Sequence, residues 1–168
     1  LDTIMDISEA ETGTLKLKKE DINFKELMTS LVEMYEIIAD ERNINLILNV
    51  IECHINVDLV RIRQAIGNII DNAIKYSPRN SNIKLDIREN ESQIILTIND
   101  YGKGILEKDI PFIWDRLYRS PDVSNIPGSG LGLSLVKAII MAHKGSYQAS
   151  SSPEKGTVFT IGFPKQIN

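Results

Sequence analysis

The stretch NIIDNAIKYS, Asn68 to Ser77, decides how this chain is read. At about 100° per residue, the advance of an α-helix, Arg61, Gln64, Asn68, Asn72 and Lys75 fall along one narrow stripe. Leu59, Ile62, Ile66, Ile69, Ile70 and Ala73 occupy the opposite side. Asp58 is placed to cap this helix, and Pro78 with the polar Asn80-Ser81-Asn82 run ends it. The apolar half predicts a helix packed on a core. The polar half carries two carboxamides where an ordinary exposed face would carry Glu and Lys. For an arbitrary helix such a stripe is a solvated face. Carboxamide oxygens also ligate hard cations such as Mg²⁺, and a neighbouring ammonium can meet phosphate. The choice between these readings depends on the rest of the chain.

At 168 residues the chain suits one domain with a sizeable core. Its 42% hydrophobic and 25% charged residues are those of a soluble globular protein. A net charge of −4 gives no electrostatic reason to expect nucleic acid or an anionic membrane as a partner. The one cysteine, Cys53, cannot form an internal disulfide and suggests a reducing compartment. Cys and His do not cluster, which argues against structural zinc. No apolar run approaches the roughly 20 residues that span a bilayer, and no signal peptide is visible. The first residues already lie inside a periodic segment without an initiator Met, so the chain reads as part of something longer.

Along the chain, residues 1–12 read as the last turns of a helix with Leu1, Ile4 and Met5 on one face and Gly13 as its stop. Leu15 and Leu17 alternate with Lys16 and Lys18 as a short edge strand. A helix is predicted from Phe24 to Glu41, with Asn23 and Glu26 in capping-box positions. Asn45–Ile51 is β-like. Ile83–Arg88 and Gln93–Ile98 form a hairpin around Asn90 and Glu91. Residues 105–119 look weakly helical, and Ser120–Gly130 reads as a mobile loop rich in turn formers. Leu131–His143 is a helix apolar on nearly every side, and strands follow at Ser146–Ser151 and Thr157–Phe163. Strands and helices mix without strict βαβ repetition. That order predicts an α+β fold, a two-layer α/β sandwich with a mixed sheet.

Three glycine-bearing loops follow the Asn helix. DYGKGI, Asp100 to Ile105, leaves a strand, and alone it is most simply a tight turn. Its functional reading is close backbone approach to a ligand, with Asp100 accepting a hydrogen bond from an exocyclic amine such as that of adenine. GSGLGL, Gly128 to Leu133, opens the buried helix, and reads equally as a hinge or as an anion site made of free N–H groups. GTVF, Gly156 to Phe159, is by itself a strand start. The commoner nucleotide signatures are absent: there is no G-x-x-x-x-G-K-[ST], and the G-x-G-x-G of Gly128, Gly130 and Gly132 follows a loop rather than a strand. The V-A-I-K and H-R-D signatures of protein kinases are also missing.

Taken in order, NIIDNAIKYS, DYGKGI, FIWDRLYRS (Phe112–Ser120), GSGLGLSLVKAII (Gly128–Ile140) and GTVF resemble the N, G1, F, G2 and G3 boxes of the ATP-binding catalytic domain of sensor histidine kinases. That domain belongs to the superfamily shared with DNA gyrase and MutL, and the likeness covers roughly residues 20–164. The resemblance implies a Bergerat-type fold binding ATP and Mg²⁺. It implies that Asn72 ligates Mg²⁺ with Asn68 beside it, that Lys75 meets phosphate, and that Tyr76 lies near base or ribose. Asp100 takes the adenine amine, Gly102 and Gly104 shape that pocket, and Ile105 packs near the ring. A lid runs from Trp114 to Gly130, with Tyr118 and Arg119 on the nucleotide and Arg116 a further phosphate candidate. Gly128, Ser129, Gly130, Leu131, Gly132 and Leu133 supply the phosphate-facing helix start, and Thr157 touches the adenine end. Asn68, Asn72 and Lys75 carry the catalytic roles.

The chain departs from the family pattern in two places. Trp114 and Leu117 stand where the F box usually has phenylalanines; both are apolar, so docking of the lid is expected. Asn68 stands where the ATPase relatives carry a Glu base, and a neutral amide cannot deprotonate water. Asp71 sits toward the edge of the stripe. LDTIMDISEAETGTLKL, from Leu1, resembles the segment leading from the dimerisation helix. The implied organisation is therefore 1–13 as the end of that helix, 14–22 as linker and edge strand, and 23–168 as the catalytic domain. The implied partners are the protein's own histidine phosphotransfer domain, in a homodimer, and a response regulator. The acceptor histidine lies outside the chain; His54 and His143 read as structural, and Cys53 as a strand-end residue without redox function. The implied location is a cytoplasmic domain of a membrane-anchored sensor, with the membrane reached only through N-terminal regions outside this chain. The alternatives are an anti-sigma-factor or protein-serine kinase of the same superfamily, or a degenerate non-catalytic binding module.

Overall fold

Stripes of period 3.6 and alternation of period 2 set the architecture. In the computed structural model, which describes residues 2–165, the elements are α1 (Asp2–Glu11), β1 (Lys19–Asn23), α2 (Phe24–Asp40), β2 (Asn45–Asn49), β3 (His54–Asp58), α3 (Leu59–Tyr76), β4 (Asn82–Glu89), β5 (Gln93–Asp100), α4 (Gly132–Ala142), β6 (Ser146–Ser152) and β7 (Gly156–Pro164). Leu1 and residues 166–168, named above in the first helix and in the 23–168 domain, lie outside the described residues. Five strands form one sheet in the order β2-β4-β5-β7-β6; β2 and β4 run parallel, and every other pair is antiparallel. The expected α+β sandwich with a mixed sheet is what forms.

Alternation fixes which sheet face is covered. Ile83, Leu85 and Ile87 of β4 align with Ile94, Leu96 and Ile98 of β5 and with Phe159, Ile161 and Phe163 of β7, and all are buried. Helices α2, α3 and α4 cover this face. Phe24 of α2 meets Phe163 edge to face at 5.4 Å, and Ile62, Ile66, Ile69 and Ile70 of α3 are fully buried. Truncating such core side chains to Ala costs about 2–5 kcal/mol. The opposite sheet face carries Asn49, Asp86, Thr97, Thr160 and Gln148 in one cross-strand row, which water can satisfy.

Several local expectations hold. Asn23 accepts the Glu26 N–H at 3.1 Å as N-cap of α2, and Asp58 accepts the Arg61 N–H at 3.1 Å as N-cap of α3. Asn90 accepts two backbone N–H groups, from Ser92 and Gln93, and closes the β4–β5 hairpin.

Others are corrected. Residues 15–18 form no strand: the pairing partner β3 ends at Asp58, where α3 begins, so the ladder starts at Lys19 opposite Asp58. Strand β3 itself was not anticipated; its partner β1 lies more than 30 residues away in sequence, and local pattern carries no trace of that pairing. Residues 105–119 contain only a 3₁₀ turn, Ile110–Phe112, with Pro111 inside it. In α1 the buried residue is Ile7, while Ile4 and Met5 are more than half exposed. Helix α1 packs on α4 and is tied to the body by Asp6 to Arg61 at 2.6 Å and by Glu11 to Arg116.

His143, at the end of α4, is structural as expected. Its Nε2 accepts the Asp58 N–H at 3.0 Å, and its Nδ1 donates to the Ile139 carbonyl at 2.7 Å, so the ring is neutral. Burial pushes its pKa below the ordinary value. The sign follows from proton counts: below about pH 6.5 the unfolded chain takes up a proton that the folded ring resists, so stability falls as pH drops through that window. His143→Gln keeps an acceptor for Asp58 without a titrating ring. Its unfolding free energy, measured by urea denaturation, is expected to vary less between pH 7 and 5 than that of the unaltered chain; identical slopes would show that His143 contributes nothing to the pH dependence.

Candidate functional site

A cleft of about 240 Å³ opens between α3, the end of β5, the start of β7, the start of α4 and the 114–130 segment. The exposed half of α3 forms one wall, with Asn68, Asp71, Asn72, Lys75 and Tyr76 all facing it. Lys75 is paired with Asp71 at 2.7 Å, one helical turn earlier. Both groups are more than a third exposed, so the pair adds little stability, but it sets where the ammonium sits. Asn68 donates from Nδ2 to the Gly132 carbonyl at 3.4 Å, joining α3 to the first turn of α4.

The far end of the cleft is organised around Asp100, only 4% exposed. Its Oδ1 accepts the Gly102 N–H at 3.0 Å and the Thr157 N–H at 3.2 Å. Among the described residues Oδ2 has no hydrogen-bond partner, and Asp100 lines the cleft. Burial, opposed by those two N–H groups, pushes the carboxyl pKa up. Glycine is required on both sides. A Cβ at Gly102 would lie 2.3 Å from the Tyr76 carbonyl oxygen, and Gly156, at φ +89°, would place one 2.0 Å from the Asp100 carbonyl oxygen. Ser151 completes this end: its hydroxyl accepts the Ile105 N–H at 2.7 Å, donates to the Gly156 carbonyl at 2.9 Å and lies 2.8 Å from the Thr157 hydroxyl. The result is a small, rigid frame with one carboxylate oxygen free to take a donor.

The opposite end is the start of α4. Leu131 is its N-cap and makes no side-chain cap hydrogen bond, so the amides of the first turn have no side-chain acceptor. Gly128, Ser129, Gly130, Gly132 and Leu133 line the cleft here. Free amides at a helix start favour an anion.

Helical spacing and the three loops thus bring together Asn68, Asn72, Lys75, Tyr76, Asp100, Gly104, Ile105, Tyr118, Arg119, Gly128, Ser129, Gly130, Gly132, Leu133 and Thr157. Gly102 and Leu131 stand behind the wall, the first holding Asp100 and the second capping α4. Arg116 is not in the lining; it is engaged by Glu11. Trp114 docks on Tyr147 and Phe159 at 4.8 and 5.8 Å between ring centres, whereas Leu117, at φ +61°, is two-thirds exposed. Docking of the F segment therefore rests on the tryptophan and not on Leu117. In the 120–130 loop a 3₁₀ turn forms at Pro121–Val123, and Arg119 donates to the carbonyls of Val123 and Ile126.

Sequence reasoning missed several contributors. Lys103 lines the cleft and donates to the Asp122 carbonyl at 2.8 Å. Ile113 and Phe159 supply apolar wall. Arg42, after α2, donates to the carbonyls of Ile74, Lys75 and Ser77 at 2.6, 3.0 and 2.8 Å. A guanidinium on the last carbonyls of a helix satisfies orphan acceptors and opposes the negative end of its dipole, and here it fixes the turn that carries Lys75 and Tyr76. No sequence signal marks Arg42, because its partners lie more than 30 positions away. Among the described residues no group of three or more His, Cys, Asp or Glu could hold a metal.

Residues 57–167 match the family model described as histidine kinase-, DNA gyrase B-, and HSP90-like ATPase. The heme sensor protein HssS of Staphylococcus haemolyticus is 32% identical over 159 residues, which are 95% of this chain and 34% of that protein. The sensor histidine kinase WalK of Bacillus subtilis is 29% identical over 167 residues, 96% of this chain and 27% of that protein. This chain therefore spans about a third or less of the curated relatives it matches. Among solved structures, the Acinetobacter baumannii histidine kinase AdeS superposes with a TM-score of 0.78 at 28% identity, covering 99% of this chain and 77% of that one. The mycobacterial sensor histidine kinase MprB gives 0.77 at 26% identity, with 87% and 97% covered.

The buried Asp100 carboxylate yields a stability prediction. Its pKa is raised on folding, so ionisation weakens the fold; the penalty shrinks as pH falls below the raised value and is gone below the ordinary carboxylate value. Asp100→Asn keeps an oxygen for the Gly102 and Thr157 amides without the charge. Its thermal midpoint is expected to exceed that of the unaltered chain at pH 7, with the gap closing on acidification; a lower midpoint at pH 7 would show that the charge is stabilising.

Proposed function

The chain belongs to the histidine kinase-, DNA gyrase B- and HSP90-like ATPase family, as a domain of the sensor-histidine-kinase type, and from that premise we propose that it holds ATP with Mg²⁺ and presents the γ-phosphate to a histidine outside the chain. The observation that carries this reading is the polarity of the cleft: a buried carboxylate with a free oxygen at one end, and the open first turn of α4 at the other.

In this reading Asp100 Oδ2 accepts the adenine amine, which discriminates against a 6-oxo purine because that base offers a second acceptor to the same oxygen. Ile105 and Thr157 border the base, and Tyr76 lies beside base or ribose. The first-turn amides of α4 take phosphate oxygens, with Lys75, Tyr118 and Arg119 alongside. The donor set suits Mg²⁺: a carboxamide oxygen from Asn72, with Asn68 next to it, completed by phosphate oxygens, in keeping with a cation that shares few protein ligands. Bound there, the cation would neutralise charge on the phosphates. Asn68, Asn72 and Lys75 contribute by positioning and charge, as phosphoryl transfer requires.

The organisation that fits is residues 1–13 as the end of a dimerisation helix, 14–22 as linker and strand, and 23–168 as the catalytic domain, acting on the phosphotransfer domain of its own homodimer and through it on a response regulator. No helix among the described residues is long and apolar enough to cross a membrane; attachment of a sensor to the membrane would rest on regions outside this chain.

Titration with a non-hydrolysable ATP analogue tests the reading. The chain is expected to bind it, more tightly with Mg²⁺ than with EDTA, and to incorporate no phosphate on His54 or His143 from ATP. In Asn72→Ala the Mg²⁺-dependent gain is expected to vanish while the Mg²⁺-free affinity and the thermal midpoint stay near those of the unaltered chain. A gain that survives removes Asn72 from the metal role, and no binding at millimolar analogue would mark a degenerate module.

A further inference from the structure

Asp109 lies outside the cleft and carries none of the roles above, yet it is a carboxylate only 5% exposed. Burying such a group is unfavourable unless its lone pairs are used. Here both oxygens are used, and by hydroxyls alone: Oδ1 accepts the Tyr118 O–H at 2.8 Å and Oδ2 accepts the Ser120 O–H at 2.7 Å. Those two hydroxyls, Ser120 first, hold the carboxyl below the usual carboxylate range. Asp109 is itself anchored: its N–H donates to the Leu106 carbonyl at 2.8 Å, and its carbonyl accepts the Phe112 N–H at 2.9 Å in the 3₁₀ turn.

The partners bracket one residue. Tyr118 and Ser120 flank Arg119, and all three line the cleft. Tyr118 also rests on Phe112 at 5.8 Å between ring centres. The backbone on each side of Arg119 is therefore pinned to one buried carboxylate, while the guanidinium of Arg119 organises the loop beyond it through the Val123 and Ile126 carbonyls. Removing that carboxylate frees both flanking side chains together.

We propose that Asp109 is a positioning residue for the nucleotide: through Tyr118 and Ser120 it fixes the base of the 114–130 segment, so that Arg119 is set for phosphate before the ligand arrives. The proposal rests on the nucleotide reading of the cleft. Without Asp109 that order must be imposed on binding, and two polar side chains released and re-ordered correspond to a loss of about tenfold in affinity.

The test measures ATP-analogue affinity through the emission of the one tryptophan, Trp114, with thermal midpoints recorded in parallel. Asp109→Ala is expected to weaken binding about tenfold at a temperature where it is fully folded, leaving the Mg²⁺-dependent gain and the preference for adenine over guanine unchanged. Ser120→Ala, which removes the other hydroxyl held by Asp109, is expected to weaken binding in the unaltered chain but to add nothing in the Asp109→Ala background, since its partner is already gone. Affinity within twofold of the unaltered chain, or full additivity of the two substitutions, would overturn the proposal and leave Asp109 a stabilising residue only. Should Asp109→Ala fail to fold, Asp109→Asn, which keeps the volume and one acceptor oxygen, decides: a weaker affinity with the Ser120→Ala effect diminished supports the proposal, and unchanged affinity overturns it. An unaltered chain that binds no nucleotide overturns the cleft reading, and this role with it; binding in the unaltered chain with no change in the variants overturns this role alone.

Discussion

Helix α3 is held at both ends by groups from distant parts of the chain, and the cleft depends on that hold. At its start, Asp58 caps the Arg61 amide, its second oxygen accepts the Lys18 N–H at 2.9 Å, and its own N–H is taken by His143 at the end of α4. At its finish, Arg42 gathers three carbonyls of the last turn. One side of the helix is committed to the core through its isoleucines. A helix fixed at both ends and along one face cannot rotate, so its remaining face presents Asn68, Asn72 and Lys75 to the cleft in a fixed register. Placement of polar groups on a rigid element is what an electrostatic site needs, because reorganisation on binding would consume the interaction.

The other walls differ in how they are held. The Asp100 end is held by the Asp100 carboxylate and the Ser151 hydroxyl on backbone groups, with glycines at the two points where a side chain would collide, and it offers one free carboxylate oxygen from a rigid frame. The 114–130 segment is held by side chains: Trp114 in an aromatic contact, Tyr118 and Ser120 on Asp109, Lys103 on the Asp122 carbonyl. Hydrogen bonds to a buried carboxylate are the stronger of these contacts, so the base of the segment is held at Asp109 while the loop beyond it is held more lightly.

What the sequence disclosed and what it hid divide along this line. The α3 register, the glycine loops and the caps at Asn23 and Asp58 are local, because each depends on spacings of one to four residues. The β4–β5 hairpin is equally local. The β1–β3 ladder was illegible: nothing in KEDIN says that it pairs with HINVD. Arg42, Lys103 and Asp109 were illegible for the same reason, since their chemistry is made by partners supplied through the fold. Leu117 misled because apolarity was read as burial, whereas its left-handed backbone turns it outward beside Gly130. Residues 105–119 misled because scattered apolar positions can satisfy a helical pattern while Pro111 and the demands of the Asp109 contacts break it into turns.

Charge gives the last constraint on what the cleft can do. The wall made by α3 is close to neutral: two carboxamides, and an Asp71–Lys75 pair that compensates itself. The chain as a whole is negative, at −4. On the nucleotide reading proposed above, the charge of Lys75 is already balanced by Asp71, so most of a triphosphate's compensation comes from the open amides of α4, from Arg119 and from a cation arriving with it. The same neutrality bears on hydrolysis. On the same reading the amide of Asn68 cannot accept a proton from water, and the nearby acid Asp71 is held one turn along the helix by Lys75. On that reading, a site that orients and neutralises a phosphoryl donor with a neutral amide at Asn68 would keep the nucleotide until an external nucleophile is brought to it.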